Sequence, residues 1–288
     1  MKAKAVYLIA GALILASWLA NYGFYRYYRL PEAGFLRHYI ETREIPSVAF
    51  DLLYVADNGD KRKPVNVQVD ELPSLRFHPV QVHQQLSRQT IYRLMGYYDE
   101  NLMRPREEGN GEPLRLNQVK VYYSDGGMAE EDIGEIVVYR ERWPLRSPVK
   151  PLIVMNSGSS SSDYEGTATV TLKRPAKLTG VSSAWLEKLG SSFEYELETT
   201  AERGAPVHGA AYALPLELRK DQALTLKYRY RMKDSEALSL PVYQILLQAN
   251  FEEPDGEKRD YTVFANYVPY ASEAEMRAYV RGKKEAGP

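Results

Sequence analysis

Few residues in this chain could do chemistry, and their spacing argues against most of it. There is no cysteine among the 288 residues, which removes a thiol nucleophile, thiolate metal ligands and cysteine-held iron–sulfur clusters. Four histidines remain, His38, His78, His83 and His208. His78 and His83 lie five apart across Pro79. In an extended chain an odd spacing turns two side chains to opposite faces, so this pair makes a poor metal site. All four are expected to be structural, bonded or exposed. The run Asn156-Ser-Gly-Ser-Ser-Ser-Ser-Asp163 is rich in hydroxyls, but Ser157-Gly-Ser-Ser160 lacks the Gly-x-Ser-x-Gly frame that presents a nucleophilic serine on a strained turn. No glycine-rich phosphate loop appears.

Acidic residues gather in two turns. Asp125 stands with Glu130, Glu131 and Asp132, and Glu252, Glu253 and Asp255 stand with Glu257. Neither group has the ligand spacing of a calcium-binding loop, so solvated turn carboxylates are expected there. A glycoside hydrolase needs only two carboxylates placed by the fold, and such a pair leaves no trace in sequence spacing. No catalytic, metal or cofactor-binding residue is predicted, and no cofactor. Lysine plus arginine number 37 against 38 acids, a formal net charge of −1. With no single-sign field to draw a polyanion, nucleic acid is not an expected partner.

The elements that would position any site begin with the first 25 residues. From Ala5 to Tyr25 there is no charged side chain. As a helix that run spans roughly 30 Å, the thickness of a bilayer's hydrocarbon core. Lys2 and Lys4 precede it, as in both export signals and anchors. Trp18-Leu19-Ala20 puts an indole where a signal-peptide cleavage site needs a small residue. Trp18, Tyr22, Phe24, Tyr25, Tyr27 and Tyr28, interleaved with Arg26 and Arg29, resemble the aromatic collar of a helix leaving lipid. The expectation is an uncleaved anchor over residues 1–29, spanning at about 5–25, with the N-terminus inside and the large domain outside the cytoplasm. The lipid bilayer is thus the first expected partner.

Beyond the anchor, 31–44 is predicted helical. Pro31 suits a first helical position, Pro46 a stop, and Phe35/Tyr39 and Leu36/Ile40 are i,i+4 pairs. Residues 30–46 would then form a juxtamembrane helix. Period-two patterns mark strands at Val48–Val55 and Val65–Val69, on either side of Asp57-Asn-Gly-Asp60. Leu86, Ile91, Leu94 and Tyr98 fit one face of a helix over 84–98. A loop carrying Pro105, Gly109, Gly111 and Pro113 follows. Leu114 and Leu116 then run out of phase with Val119, Val121 and Tyr123, which predicts a β-bulge near Asn117-Gln118. The chain turns at Ser124-Asp-Gly-Gly127 and returns as Glu135–Tyr139.

In the second half, alternation marks Thr167–Leu172 and Phe193–Glu198, and Ser183–Gly190 looks like a short capped helix. Tyr212–Leu218 with Leu224–Met232 reads as a hairpin, its first strand held to an edge by Pro215. Val242–Phe251 and Tyr261–Val268 form a last pair around Pro254-Asp-Gly256. Ser272-Glu-Ala-Glu275 is a capping box. The predicted fold is mainly β: an N-terminal transmembrane helix, then antiparallel β-sandwich domains with a few short helices. The first β-rich domain spans 47–155, a Ser/Gly linker or loop 156–166, the second sandwich 167–270, and a short C-terminal helix and tail 271–288. Abundant sheet explains the 23 tyrosines first, although tyrosine also favours interfaces and sugar-binding surfaces. The functional expectation is a membrane-anchored extracytoplasmic binding or assembly module acting on an envelope protein or cell-wall glycan. A tethered hydrolase and the sensor arm of a signalling complex are its rivals.

Overall fold

The computed structural model describes residues 2–46, 48–106, 112–140, 143, 151–199, 214–232 and 239–285. His208, Tyr212, Gly109 and Gly111 lie outside them. The fold is mainly β, with antiparallel sheets behind an N-terminal apolar helix, α1 (Lys2–Tyr27). Within α1, Val6–Tyr27 is long and apolar enough to cross a membrane and is not buried by the rest of the chain. A signal sequence near an N-terminus can be long and apolar enough as well.

Three sheets follow. A five-stranded sheet runs in the order β1 (Gly34–Phe35), β3 (Ala49–Asp57), β7 (Gln89–Tyr98), β5 (Leu75–Phe77), with β6 (Gln81–Gln85) also on β7. An eight-stranded sheet runs β14 (Leu216–Leu218), β12 (Ala176–Ser182), β16 (Val242–Glu252), β2 (His38–Arg43), β9 (Met128–Tyr139), β8 (Leu114–Tyr123), β4 (Pro64–Gln68). In it, β17 (Lys258–Tyr267) pairs with β16. A four-stranded sheet runs β10 (Ile153–Ser160), β11 (Glu165–Leu172), β15 (Ala223–Tyr230), β13 (Phe193–Thr199). Among the described residues, the α-helices α2 (Leu186–Leu189) and α3 (Glu273–Glu285) complete the frame.

The eight-stranded sheet is buried on two sides. Ile40, Val121, Ile136 and Val138 meet Phe50, Leu52, Tyr54 and Leu94 of the five-stranded sheet in one core. Tyr39, Val137, Tyr243, Ile245 and Val263 meet Ala168, Leu226, Tyr228 and Phe193 of the four-stranded sheet in another. Alternate residues of β2 and β9 therefore enter different cores, as the strand period requires.

Several expectations are corrected here. Residues 30–46 form no helix; they give β1 and β2. Strand β2 runs parallel to both neighbours, β16 and β9, and is buried on both faces, so tertiary contacts override the weak i,i+4 signal. Its polar side chains are answered across the layers. His38 is fully buried; its Nδ1 bonds the Ile133 carbonyl at 2.9 Å and its Nε2 accepts the Leu53 N–H at 2.8 Å. Burial outweighs the bond to the Ile133 carbonyl and lowers its pKa to about 4, so the ring is neutral. Gly134, opposite His38, has φ +92°, and a Cβ there would stand 2.3 Å from the His38 carbonyl oxygen. Glycine allows β2 and β9 to approach.

Residues 84–98 are likewise strand, not helix. A tight turn with Leu86 N–H to the Gln89 carbonyl (2.9 Å) joins β6 to β7. Tyr92, Leu94 and Tyr98 then enter the first core from one face, while Ile91 enters a third core from the other. The expected linker at 156–166 is strand and turn, with Ser157–Ser160 in β10. The chain does not divide there: the eight-stranded sheet takes β2, β4, β8 and β9 from before that point and β12, β14, β16 and β17 from after it. The expected hairpin 212–232 is also split. Leu216–Leu218 pairs with Ala176–Leu178, while β15 enters the four-stranded sheet between β11 and β13.

Most other local readings hold. The register shift falls between Leu116 and Gln118. Strands β16 and β17 pair around the expected turn, and Gly190 ends α2 at φ +49°; the expected serine cap does not form, because the helix starts at Leu186 behind Trp185, which makes no side-chain cap bond. Ser272 N–H reaches Glu275 Oε2 at 2.7 Å while Glu275 N–H reaches Ser272 Oγ at 3.2 Å, a closed capping box.

Candidate functional site

Most of the chemistry-bearing residues singled out from sequence, where described, serve the scaffold. His78 stacks on Tyr97 with ring centroids 4.4 Å apart, and His83 Nε2 lies 3.3 Å from the Pro269 carbonyl. Asp132 Oδ1 accepts the Gly134 N–H and Asp125 Oδ1 the Gly127 N–H, each closing its own turn. Glu131 accepts the Tyr123 hydroxyl. Glu253 is buried against Arg174 at 3.0 Å and Arg259 at 3.4 Å, and Asp255 Oδ1 accepts the Glu257 N–H. Among the described residues no group of three or more His, Asp or Glu side chains could hold a metal ion.

A different region is open. Strands β10 and β11 form a serine- and threonine-rich antiparallel pair, and directly opposed residues share a face. Met155, Gly158 and Ser160 oppose Val170, Ala168 and Gly166. On β11 that face is buried, whereas on β10 all three residues are exposed, Met155 by 56%. The eight-stranded sheet beneath ends at β17, so β10 overhangs it. The result is an open groove of about 670 Å³ between β10–β11 and β17.

Tyr164, Tyr228, Tyr261 and Phe264 line the groove with Ser159–Ser161, Thr167, Thr262 and Asn266; Glu165 is its charged residue. Gly166 admits the Tyr228 ring, because a Cβ there would come within 2.4 Å of it. Burial raises the pKa of Tyr164, Tyr228 and Tyr261, so all three stay neutral hydroxyls near neutral pH. Tyr230 donates to the Ala265 carbonyl at 3.0 Å and Tyr164 to that of Val268 at 3.2 Å. Ala265 belongs to β17, and Val268 is the residue that follows its end. Phe264 is 48% exposed.

The β17 edge is unusual in what it lacks. Free strand edges are ordinarily blunted by charges or proline. β17 opens on Lys258-Arg259-Asp260, but Tyr261–Tyr267 contains neither, and the same holds for Ile153–Ser160. The sequence did contain a signal here, the uncharged run 153–162, which looked like a connector because serine and glycine are poor strand formers.

Fold and groove together define a class: a mainly β protein led by one apolar helix long enough to span a membrane. No protein-family model and no curated protein matches the chain. Among solved structures it is similar to the crystal structure of a protein of unknown function from Porphyromonas gingivalis W83, at 14% identity, over 83% of this chain and 97% of that one, with a TM-score of 0.24.

Proposed function

We propose that this protein is a membrane-anchored, extracytoplasmic β-sandwich module of the cell envelope, held by α1, that captures an extended segment of an envelope protein by strand addition to β17. The observation that carries the reading is the overhang: the uncharged Tyr261–Tyr267 part of a sheet edge lies beside the exposed face of β10, which leaves room for one more strand. An added strand would hydrogen-bond to the backbone of β17 and cover Met155, Gly158 and Ser160. Main-chain bonds would supply affinity and alternate side chains specificity. A glycan is the competing ligand for a groove of tyrosines and hydroxyls. Strand addition is favoured because ladder groups repeating at about 3.3 Å per residue match an extended peptide.

The test is photo-crosslinking in cells from a benzophenone amino acid at Phe264, with Ser160→Trp as the groove-filling control. The expected result is a discrete protein adduct that Ser160→Trp abolishes. No adduct, with retention of the purified full chain on cell-wall polysaccharide that Ser160→Trp removes, would replace the peptide by a glycan. Indifference of every contact to Ser160→Trp would overturn the groove.

A further inference from the structure

The last turn of α1 is gripped by two segments far from it in sequence. From the β6–β7 turn, Arg88 Nη1 donates to the Phe24 carbonyl at 3.1 Å, and its guanidinium carbon lies 4.7 Å from the Phe24 ring centre and 5.2 Å from that of Tyr25. From α3, Arg277 lies 6.0 Å from the Phe24 ring and 5.8 Å from the Tyr28 ring. One helical stretch further on, Lys284 Nζ donates to the Arg26 carbonyl at 3.3 Å and to that of Tyr27, and sits 5.5 Å from the Tyr27 ring. Three cations thus surround the aromatic end of an apolar helix, where its carbonyls carry the negative end of the helix dipole.

Helix capping accounts for part of their hydrogen-bonding capacity and leaves the rest. A guanidinium has five donors and an ammonium three. Arg88 spends one on Phe24, and none of the three cations is in an ion pair among the described residues. The nearby carboxylate, Glu273, is occupied by the Ser87 hydroxyl at 2.6 Å and its N–H at 2.7 Å. Those bonds first, then Arg277 and Arg88, hold its carboxyl below the usual range. Apolar contacts fix the cations in place: Met276, Tyr279 and Val280 of α3 pack with Leu30, Leu53, Val55 and Ile91. Aromatic rings at the end of a spanning helix mark headgroup depth, so cations on those rings stand at the level of lipid phosphates.

We propose that Arg88, Arg277 and Lys284 form a seat for anionic phospholipid headgroups in the leaflet that α1 leaves, which fixes the orientation of the β body on the membrane. The inference rests on the reading of α1 as a membrane span. Each cation at an anionic surface is worth about five-fold in affinity, so three give a ceiling of about a hundred-fold.

The test offers the full chain, purified in a neutral detergent, equimolar phosphatidylglycerol and phosphatidylcholine, and measures the bound ratio by mass spectrometry. The expected result is phosphatidylglycerol enriched at least ten-fold. Arg88→Gln/Arg277→Gln/Lys284→Gln should bring the ratio to about one, while Arg88→Lys/Arg277→Lys should keep the enrichment and show that folding is not the cause. A ratio near one for the native chain, or enrichment untouched by the triple change, overturns the headgroup seat and leaves the span standing. A chain that stays in solution without detergent and retains neither lipid overturns the span and the seat with it.

Discussion

Replacing Glu41 is expected to cost about 3–5 kcal/mol of stability, from two stranded backbone donors at about 1–3 kcal/mol each and two hydroxyls left to find weaker partners. Glu41 is 2% exposed. It accepts the Tyr139 hydroxyl at 2.7 Å, the Ala184 N–H at 2.8 Å, the Leu246 N–H at 3.0 Å and the Ser183 hydroxyl. Its place in the sheet explains the arrangement. Strand β16 pairs with β2 at Val242–Gln244 and with β12 from Gln248, so Leu246 falls in a gap between two partner strands. Glu41, the next residue of β2, fills that gap with its side chain. Glu41→Leu should be the most damaging change, since leucine fills the space without an acceptor. Glu41→Ala should be milder if a water enters the polar cavity. Glu41→Gln keeps the shape but turns an amide donor toward two of the four donors. The assay is urea unfolding of the full chain in mild detergent, followed by tryptophan fluorescence, because Trp185 is buried next to Ala184 and lies 5.3 Å from Tyr39. Against a typical total of about 5–15 kcal/mol, a loss of this size moves the midpoint visibly. A loss under about 1 kcal/mol for Glu41→Leu would refute the view that this carboxylate completes the sheet.

Two further outcomes are expected. His38 is lowered from 6.5 to about 4 when folded, so the unfolded chain binds its proton more readily. Stability should be unaffected by this group above about pH 6.5, fall by a total of about 3 kcal/mol as pH drops to about 4, and level off below, with His38→Gln removing that component in unfolding curves at pH 7.5 and 5. Protease added to intact spheroplasts should remove the chain from about Leu30 onward and leave α1 protected; resistance until the membrane is breached would reverse the orientation, and a mature protein beginning near Asn21 would remove the anchor.

The sequence alone determined what depends on neighbours along the chain. Twenty-one uncharged residues make α1 apolar over a membrane's thickness whatever surrounds it. The phase slip at Leu116–Gln118, the β16–β17 hairpin and the Ser272–Glu275 capping box are likewise local, and each lies where its pattern put it. Tertiary structure decided which strand pairs with which, and what a strand buried on both faces looks like. Strand β2, His-Tyr-Ile-Glu-Thr-Arg, has no alternation to read, because one face meets the five-stranded sheet and the other the four-stranded sheet. Its polar residues are tolerated there since His38, Glu41 and Thr42 find partners at Ile133, Leu246 and Tyr98, which lie 95, 205 and 56 positions away in chain order but adjacent in space. The groove was invisible for the same reason. It exists because one sheet extends a strand further than the layer beneath it, and no spacing within a single strand encodes that mismatch.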